Sequence, residues 1–388
     1  MFKVAVGHSN DPDSQFAVEE VLEQIQQALL KLPKEASPKA GMLLSAIDFD
    51  HALVLDRIVS AFPDIALIGG TTDGEISSVM GFEQDSLTLT LFCSDDVTMT
   101  AAMGRGLSKD VSAACRDAVQ KASVGHTEAI KFCVSTPESL TVNSNLVINE
   151  LVDALGGQVP IFGGLTADQL NTQQTYQFFG REVCSDAIPI LLFSGPILFS
   201  HGVASGWEPV GKAGRITKSE ENTVYEIDHQ PALAFYERYL GNLPPSQEYP
   251  LAVADSQSDR VYMRAPSGTH DAGTGSVTFF GEIPLGAKVQ ITEATQDQIL
   301  SASCQSAQQA LETYPGDNPT IALFFSCCSR RQLLGSRTKE EYEQTRHCLE
   351  SSIQSCGFYT YGEISPLQKQ GMTYLHNETF VTLLLGDN

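Results

Sequence analysis

Short apolar runs recur along the chain, and longer segments with apolar residues at helical spacing separate them. Three of these runs have a serine near their end, at residues 41–46, 131–136 and 321–327. A helical pattern follows each run, as with Leu55 and Ile58 in the first case. A turn with glycine and another apolar run come next. The pattern predicts three copies of strand, helix, strand, turn and strand.

The turns of the three copies are related in sequence. Alignment of residues 67–77, 161–168 and 357–365 places a threonine at the same position of each, and two copies share Gly-Glu-Ile-Ser. Glycine allows a sharp bend or a close backbone approach, and equivalent turns tend to gather at one end of the sheets, where ligands bind. The aligned threonines are Thr72, Thr166 and Thr360. The alternative is that these are tight turns with no further role.

We expect the three turns to line a single ligand pocket, because polar and ionisable residues are concentrated in them. The repeat could also bring Glu75 and Glu363 together, in which case one of them would have a raised pKa. The expected pocket residues are Thr72, Asp73, Glu75, Thr166, Asp168, Tyr361 and Glu363.

The order of elements predicts an α+β fold with mixed sheets. A strand, a crossover helix and a second strand favour parallel pairing, and the last strand of each copy is expected to return antiparallel. We expect two interlocked domains, 1–220 with the first two copies and 221–388 with the third. Capping boxes are predicted at Thr295 with Gln298 and at Thr338 with Glu341.

Composition narrows the classes of partner. The chain has 388 residues and a formal net charge of −23, with no cluster of Lys or Arg, so nucleic acid and anionic membrane surfaces are not expected partners. No secretory signal is predicted, and the apolar run at 187–199 is interrupted by two prolines. The nine cysteines show no zinc-type spacing. We therefore expect a cytoplasmic protein with reduced thiols.

Several segments resemble those of FIST family proteins in both their order and their amino-acid sequences, and together they extend over nearly the whole chain. The resemblance implies an intracellular sensory module, and one subset of the family resembles the haem proteins called NosP, which sense nitric oxide. It also implies output to a separate histidine kinase, diguanylate cyclase or phosphodiesterase, and a homodimer is compatible with it. The segments are Ile68-GGTTDGEIS, Phe162-GGLTAD, Gly202-VASGWEPVG, Tyr225-EIDHQPALAFYERYLG, Phe325-SCCSRR, Tyr359-TYGEISP and Leu375-HNET.

A haem site needs an axial ligand, usually histidine, in an apolar pocket. Among the eight histidines, His376 and His201 are the leading candidates because both lie in family-like segments, and Trp207 is close to His201. Arg330, with Arg331 beside it, could pair with a haem propionate or another carboxylate. The alternatives are a structural role for each histidine and a salt bridge from the arginines to Glu75 or Glu363.

Three functions remain open at this stage. The leading hypothesis is a haem-dependent nitric oxide sensor, and the second is a module that binds an amino acid or a similar polar metabolite through the turns. The third is a thiol-dependent hydrolase with Cys327 or Cys328 as nucleophile. No nucleophile elbow, P-loop, dinucleotide fingerprint or zinc-protease motif occurs, so we do not expect an enzyme.

Overall fold

The computed structural model describes residues 1–33, 36–254, 261–369 and 371–387. Its first unit, residues 3–93, packs two helices on one face of a sheet. Its elements are β1 (Lys3–Ser9), α1 (Ser14–Leu29), β2 (Pro38–Ser45), α2 (His51–Ala61), β3 (Ala66–Thr71), β4 (Glu75–Ser77), β5 (Gly81–Glu83) and β6 (Leu87–Cys93).

The second unit, residues 98–194, has the same order of elements. They are β7 (Thr98–Arg105), α3 (Val111–Ala122), β8 (Ile130–Ser135), α4 (Ser144–Ala154), β9 (Ile161–Gly164), β10 (Gln177–Phe179), β11 (Glu182–Cys184) and β12 (Ala187–Ser194).

The third unit begins with β13 (Leu198–Ala204) and is interrupted by an insert, residues 205–294. The insert forms a nine-stranded sheet with its own apolar core around Phe235, Val253 and Val289. Its elements are β14 (Glu208–Pro209), β15 (Gly214–Glu220), β16 (Thr223–Ile227), β17 (Gln230–Pro231), α5 (Ala232–Leu240), β18 (Leu251–Ala254), β19 (Val261–Arg264), β20 (Pro266–Asp271), β21 (Ser276–Phe279) and β22 (Lys288–Glu293).

The third unit then resumes over residues 295–386. Its elements are α6 (Gln296–Glu312), β23 (Ile321–Cys327), α7 (Cys328–Leu334), a 3₁₀ turn (Gly335–Arg337), α8 (Thr338–His347), β24 (Gln354–Thr360), β25 (Glu363–Pro366), β26 (Thr373–His376) and β27 (Phe380–Gly386).

The three units exchange hairpins, so each main sheet contains strands from two units. The sheet orders are β1-β6-β2-β3-β10-β11, β7-β12-β8-β9-β25-β26 and β13-β27-β23-β24-β4-β5. In each sheet the pair joined by a crossover (β2 with β3, β8 with β9, β23 with β24) is parallel and the other pairs are antiparallel. The predicted α+β class with mixed sheets is confirmed.

The inner faces of the three sheets share one apolar core. Met42, Phe132, Phe193, Phe325 and Phe358 belong to it, and all five are buried. Alternate residues of the same strands face outward, where the helices cover them, so these strands are apolar on both faces. This architecture places the hairpin exchanges at the ends of the parallel strands.

Two local predictions differ in outcome. The capping box of Thr295 and Gln298 is confirmed. The capping box at Thr338 is wrong: Arg337 is the cap residue and makes no side-chain cap bond, while Glu341 points inward to Arg330. The preceding helix, α7, was missed because its seven residues are too few to show a helical apolar pattern.

The expectation that all cysteines are reduced is also wrong. Cys304 on α6 and Cys348 at the end of α8 form a disulfide, with the two Cα atoms 5.9 Å apart. The packing of α6 against α8 brings the two Cα atoms within the range that a disulfide requires. None of the helices in the described residues is both long enough and apolar enough to span a bilayer.

Candidate ligand site

The three glycine turns meet in the interior of the protein. The Asp73 backbone N–H donates to the Tyr359 carbonyl at 2.9 Å, and the Ala167 N–H donates to the Thr71 carbonyl at 2.8 Å. Thr72, Thr166 and Thr360 are all buried. The main-chain bonds therefore join the first turn to both of the others.

Glycine is required where the strands leading into the first two turns come close to their neighbours. Gly69 and Gly163 have positive φ values of 157° and 143°. A Cβ atom on them would lie 1.8 Å and 1.9 Å from the carbonyl oxygens of Leu43 and Ser135. No side chain fits at such distances, so the turns depend on these glycines.

Each exchanged hairpin places one polar side chain at the same register position, and we call these three places the junctions. Glu75 pairs with Phe358 at the first junction, Gln177 with Gly70 at the second, and Glu363 with Gly164 at the third. All three polar side chains are completely buried. Glu75 and Glu363 therefore occupy different junctions and do not come together.

The first two junctions are fully hydrogen-bonded. Glu75 accepts from Thr72 and, at 2.5 Å, from the Ser86 hydroxyl. The Gln177 amide donates to the Thr166 hydroxyl at 3.0 Å, and its Oε1 accepts from the Ala187 N–H at 3.3 Å. Burial raises the pKa of Glu75 to about 8, which keeps that carboxyl neutral at pH 7.

The third junction is incomplete. Glu363 Oε2 accepts from the backbone and hydroxyl of Thr379, at 3.0 Å and 2.7 Å, but Oε1 has no hydrogen-bond partner among the described residues. The same is true of both carboxyl oxygens of Glu378, a completely buried residue with a φ of 60°. Three buried acceptor atoms are thus left without a donor, which is rare and typical of functional sites.

Burial and mutual repulsion set the charge of this pair. Burial raises the pKa of Glu363 to about 8, and burial together with the nearby Glu363 raises the pKa of Glu378 well above its usual range. The Cys327 thiol and the Ser329 hydroxyl oppose part of these increases without satisfying the free oxygens. The pair holds protons that a cationic ligand could displace.

A cavity of 110 Å³, here called the inner cavity, is lined by Cys327 and Ser329, which contact Glu363 and Glu378 respectively, but neither glutamate lines it. The third unit contributes both cysteines, Ser329, Tyr361 and Asn377, while the second unit and the insert form the remaining walls. The lining residues are Ser139, Leu140, Ser144, Leu165, Leu170, Thr172, Gln247, Ala265, Phe280, Cys327, Cys328, Ser329, Tyr361 and Asn377. Two units and the insert therefore meet at one small space.

Of the seven predicted pocket residues, Tyr361 lines the inner cavity and Asp168 supports its wall. Tyr361 donates its hydroxyl proton to Asp168, whose carboxylate also accepts from the backbone N–H groups of Thr172 and Gln173 at 2.9 Å and 2.7 Å. Asp168 thereby orders the loop that carries Leu170 and Thr172 to the cavity. The aligned threonines instead hydrogen-bond to neighbouring segments of the protein, as Thr360 does with the Leu165 carbonyl of the second turn at 2.6 Å.

The two arginines have structural partners that the sequence did not identify. Arg331 forms a forked ion pair with Asp73, at 2.9 Å and 3.1 Å. Burial raises the pKa of Asp73 to about 6, although Arg331 opposes this. Arg330 is completely buried and donates to Glu341 at 2.7 Å and to the Ile299 carbonyl at 2.8 Å. Neither arginine pairs with Glu75 or Glu363, and Arg330 presents no free fork to a propionate.

The cysteines do not favour nucleophilic catalysis. The pKa of Cys327 is raised well above that of a free thiol, by its contact with Cys328, by burial and by the two glutamates, so the thiolate is absent near neutral pH. Its hydrogen-bond partner is the Ser329 hydroxyl at 3.5 Å. Nowhere in the described part of the chain do three His, Cys, Asp or Glu side chains form a metal-binding group.

The two histidine candidates differ in their access to open space. His376 is buried, and its Nε2 lies 2.8 Å from the Ser365 carbonyl. His201 lines a separate cavity of 510 Å³ together with Phe199, Lys369 and Met372. Burial lowers the pKa of both histidines to about 4, so both are neutral. Trp207 is buried in an apolar cluster and donates to the Glu248 carbonyl at 3.2 Å.

The sequence reasoning missed Glu378, Asn377 and Ser329. The segment Leu375-His-Asn-Glu-Thr was singled out for its histidine, whereas its glutamate is the residue without a partner. The position of Glu378 just before the apolar strand β27 favours burial, but nothing in the sequence shows that its carboxyl lacks hydrogen-bond donors. Gln247 was beyond reach, since it comes from a loop of the insert.

In this fold two interlocked units and an insert enclose a small cavity whose lining is largely apolar. The model of the FIST N domain matches residues 39–230, and that of the FIST C domain matches residues 232–366. The chain belongs to the FIST family, whose domains are small-ligand sensor modules in signalling.

A curated relative is described as uncharacterized protein MJ1623 of Methanocaldococcus jannaschii. It is 25% identical over 317 residues, which cover 75% of this chain and 60% of that protein. The chain thus spans less than two thirds of the length of this relative.

Two solved structures show distant likeness. Cyanuric acid hydrolase from A. caulinodans matches over the full length of both chains with 10% identity and a TM-score of 0.35. PurLQS from Thermotoga maritima matches all of this chain and 72% of its own with 12% identity and a TM-score of 0.24. Scores this low carry no argument about function.

Proposed function

We propose that this protein is a sensor whose inner cavity binds a small molecule with an ammonium group, such as an amino acid. The observation that carries the proposal is the pair Glu363 and Glu378, which holds three buried carboxyl oxygens without donors directly behind Cys327 and Ser329 of the cavity wall. An ammonium group supplies three N–H donors and a positive charge, both of which this pair lacks.

Binding of a cation here is coupled to proton release. Glu363 is neutral at pH 7 because its pKa is about 8, and a nearby ammonium favours the ionised form. Affinity should therefore increase as the pH rises towards 8, until the ligand amine itself loses its proton. Such a rise in affinity with pH is the expected sign that the carboxyl pair takes part in binding.

The output follows from the position of the cavity between two units and the insert. A ligand that contacts all three favours one arrangement of them over the others, which shifts a conformational equilibrium. The partner is a separate histidine kinase or cyclic-di-GMP enzyme, as the family resemblance implies. Binding of ligand changes the surface that this partner contacts.

Isothermal titration calorimetry with L-amino acids at about pH 8 tests the proposal. The wild-type protein should bind at least one of them, and Glu378→Gln should weaken that binding by tenfold or more. Glu75→Gln is the matched control, because Glu75 is equally buried but has a full set of partners at another junction. Equal binding by the wild type and Glu378→Gln would contradict the proposal.

A second candidate function, haem-dependent sensing of nitric oxide, is favoured by His201. Its ring N–H bonds to the Pro366 carbonyl, which leaves the other ring nitrogen for a metal, and it lines the 510 Å³ cavity with Phe199 and Met372. The donor set and the size of the cavity fit a haem group, with Lys369 available for a propionate. A bound haem would supply the iron that takes nitric oxide.

The two histidines make the haem test specific. Protein expressed with haem supply should show a Soret band that shifts with nitric oxide and is lost in His201→Ala. His376→Ala serves as the comparison, since His376 is buried and does not line that cavity. Absence of the band in the wild type removes this candidate and leaves the amine proposal unaffected.

A further inference from the structure

A second space lies next to the inner cavity. This outer cleft measures 490 Å³ and is lined by the loop 243–249 of the insert, by Ser267 and Gly268, and by Gln332 and Leu333 of α7. The inner cavity is smaller than a typical ligand pocket, whereas the outer cleft lies within the usual range of about 300–1,000 Å³. The size difference suggests one ligand with a small head and a larger remainder.

One hydrogen-bonded pair of side chains lies between the inner cavity and the outer cleft. Gln247 and Ser329 line both of them, and the Ser329 hydroxyl donates to Gln247 Oε1 at 2.6 Å. These two side chains therefore separate the inner cavity from the outer cleft, and the Ser329 hydroxyl also contacts Glu378.

The lining of the outer cleft favours a neutral chain with amide groups. Gln247 and Gln332 offer side-chain amides, and Leu243, Pro244 and Leu333 offer apolar surface. Glu248 is the one charged side chain among the described residues of the lining. An anionic ligand finds no complementary partner here and a polycation finds only Glu248, whereas a chain of alternating amide and apolar groups finds several.

We propose that the ligand is a short peptide with a free N-terminus. Its ammonium group occupies the inner cavity against Cys327 and Ser329, the wall residues that contact Glu363 and Glu378. Rotation of the Gln247 and Ser329 side chains lets its following residues pass into the outer cleft. This inference rests on the proposed amine site and adds the class of ligand. Capture of a terminal amine in a buried pocket is a known mode of peptide recognition.

Calorimetry at about pH 8 with alanine, trialanine and N-acetyl-trialanine tests the inference. We expect trialanine to bind at least tenfold more tightly than alanine, and the acetylated peptide not to bind. Gln332→Trp narrows only the outer cleft, so it should abolish the advantage of trialanine while alanine still binds. Gln26→Trp, an exposed glutamine on α1, is the matched control.

The outcomes separate this inference from the proposed function. Equal affinities of alanine and trialanine would overturn the peptide inference and leave the amine site standing. Binding of N-acetyl-trialanine, or tighter binding of spermidine than of trialanine, would also overturn it. If none of these amines binds, the amine site fails and the peptide inference fails with it.

Discussion

The first and third junctions place equivalent buried glutamates in very different surroundings. Glu75 belongs to a closed network in which Ser86 connects it to His8, with the Ser86 hydroxyl 2.9 Å from His8 Nε2. Glu363 retains a free oxygen and faces Glu378, whose carboxyl oxygens make no hydrogen bond among the described residues although the Ser329 hydroxyl is near enough to lower the pKa of Glu378. Burial raises the pKa of both Glu75 and Glu363 to about 8, so the pKa does not distinguish them. The two glutamates differ instead in how completely their carboxyl oxygens are hydrogen-bonded.

The largest expected effect concerns Arg330, whose completely buried pair with Glu341 belongs to the third unit. Arg330→Ala leaves Glu341 as a buried charge without its partner, which costs about 3–5 kcal/mol of unfolding free energy. Arg337→Ala removes a partly exposed pair with Asp297 and should cost about 0–1 kcal/mol. Urea denaturation measures both. Equal effects of the two substitutions would show that the buried pair of Arg330 and Glu341 does not stabilise the third unit more than an exposed pair does.

The disulfide gives the next largest effect, and it too belongs to the third unit. Removal of a link across 44 residues should lower stability by about 2–4 kcal/mol, because the unfolded chain gains freedom. Cys304→Ser, Cys348→Ser and a dithiol reductant should each lower the melting temperature by a similar amount. Cys184→Ser is the control, since Cys184 is free and partly exposed. An unchanged melting temperature after reduction would contradict this expectation.

We expect the first and third junctions to contribute similarly to the pH dependence of stability. Folded Glu75 and Glu363 keep their protons up to about pH 8, whereas glutamate in the unfolded chain releases its proton near 4.5. The folded state binds more protons between these values, so stability is greatest below the lower pKa and falls as the pH rises. Each carboxyl contributes up to about 1.4 kcal/mol per pH unit.

Glu75→Gln and Glu363→Gln should therefore each reduce the slope of stability against pH, as measured by denaturation between about pH 5 and 8. Only Glu363→Gln should also weaken amine binding. This pair of variants separates the effect of burial from the effect of the cavity. A slope that neither variant changes would mean that both carboxyls are already ionised in the folded protein.

The sequence predicted the fold class because apolar alternation and helical spacing are local properties. The strands at 41–46, 131–136 and 321–327 were recognised from such patterns, and the mixed sheets followed from the order of elements. The exchange of hairpins could not be predicted, because the sequence of a hairpin does not determine which unit's sheet it joins. Arg330 shows the same limit, since its partner Glu341 was assigned to a helix cap.

Little of the candidate site could be predicted from the sequence. Of the expected pocket residues, only Tyr361 lines the inner cavity, and Asp168 accepts a hydrogen bond from it. Glu378 could not be identified from the sequence, because its importance lies in the absence of hydrogen-bond donors around it. Such an absence depends on every neighbour in space.

The smallest expected effects on stability come from two substitutions that each remove one hydroxyl, one at the third junction and one at the first. Thr379→Val removes the hydroxyl donor of Glu363 but keeps the backbone N–H, so it should cost about 1 kcal/mol. Ser86→Ala leaves both Glu75 Oε2 and His8 Nε2 without that hydroxyl and should cost more, about 2 kcal/mol. Urea denaturation compares the two variants with the wild type.

The order of these two costs tests the comparison between the junctions directly. A closed network loses two interactions when one hydroxyl is removed, whereas an open junction loses one and already contains unsatisfied atoms. A larger cost for Thr379→Val would mean that the third junction is the more tightly bonded of the two. In that case the free oxygens of Glu363 and Glu378 would have partners in solution, and the case for a ligand there would be lost.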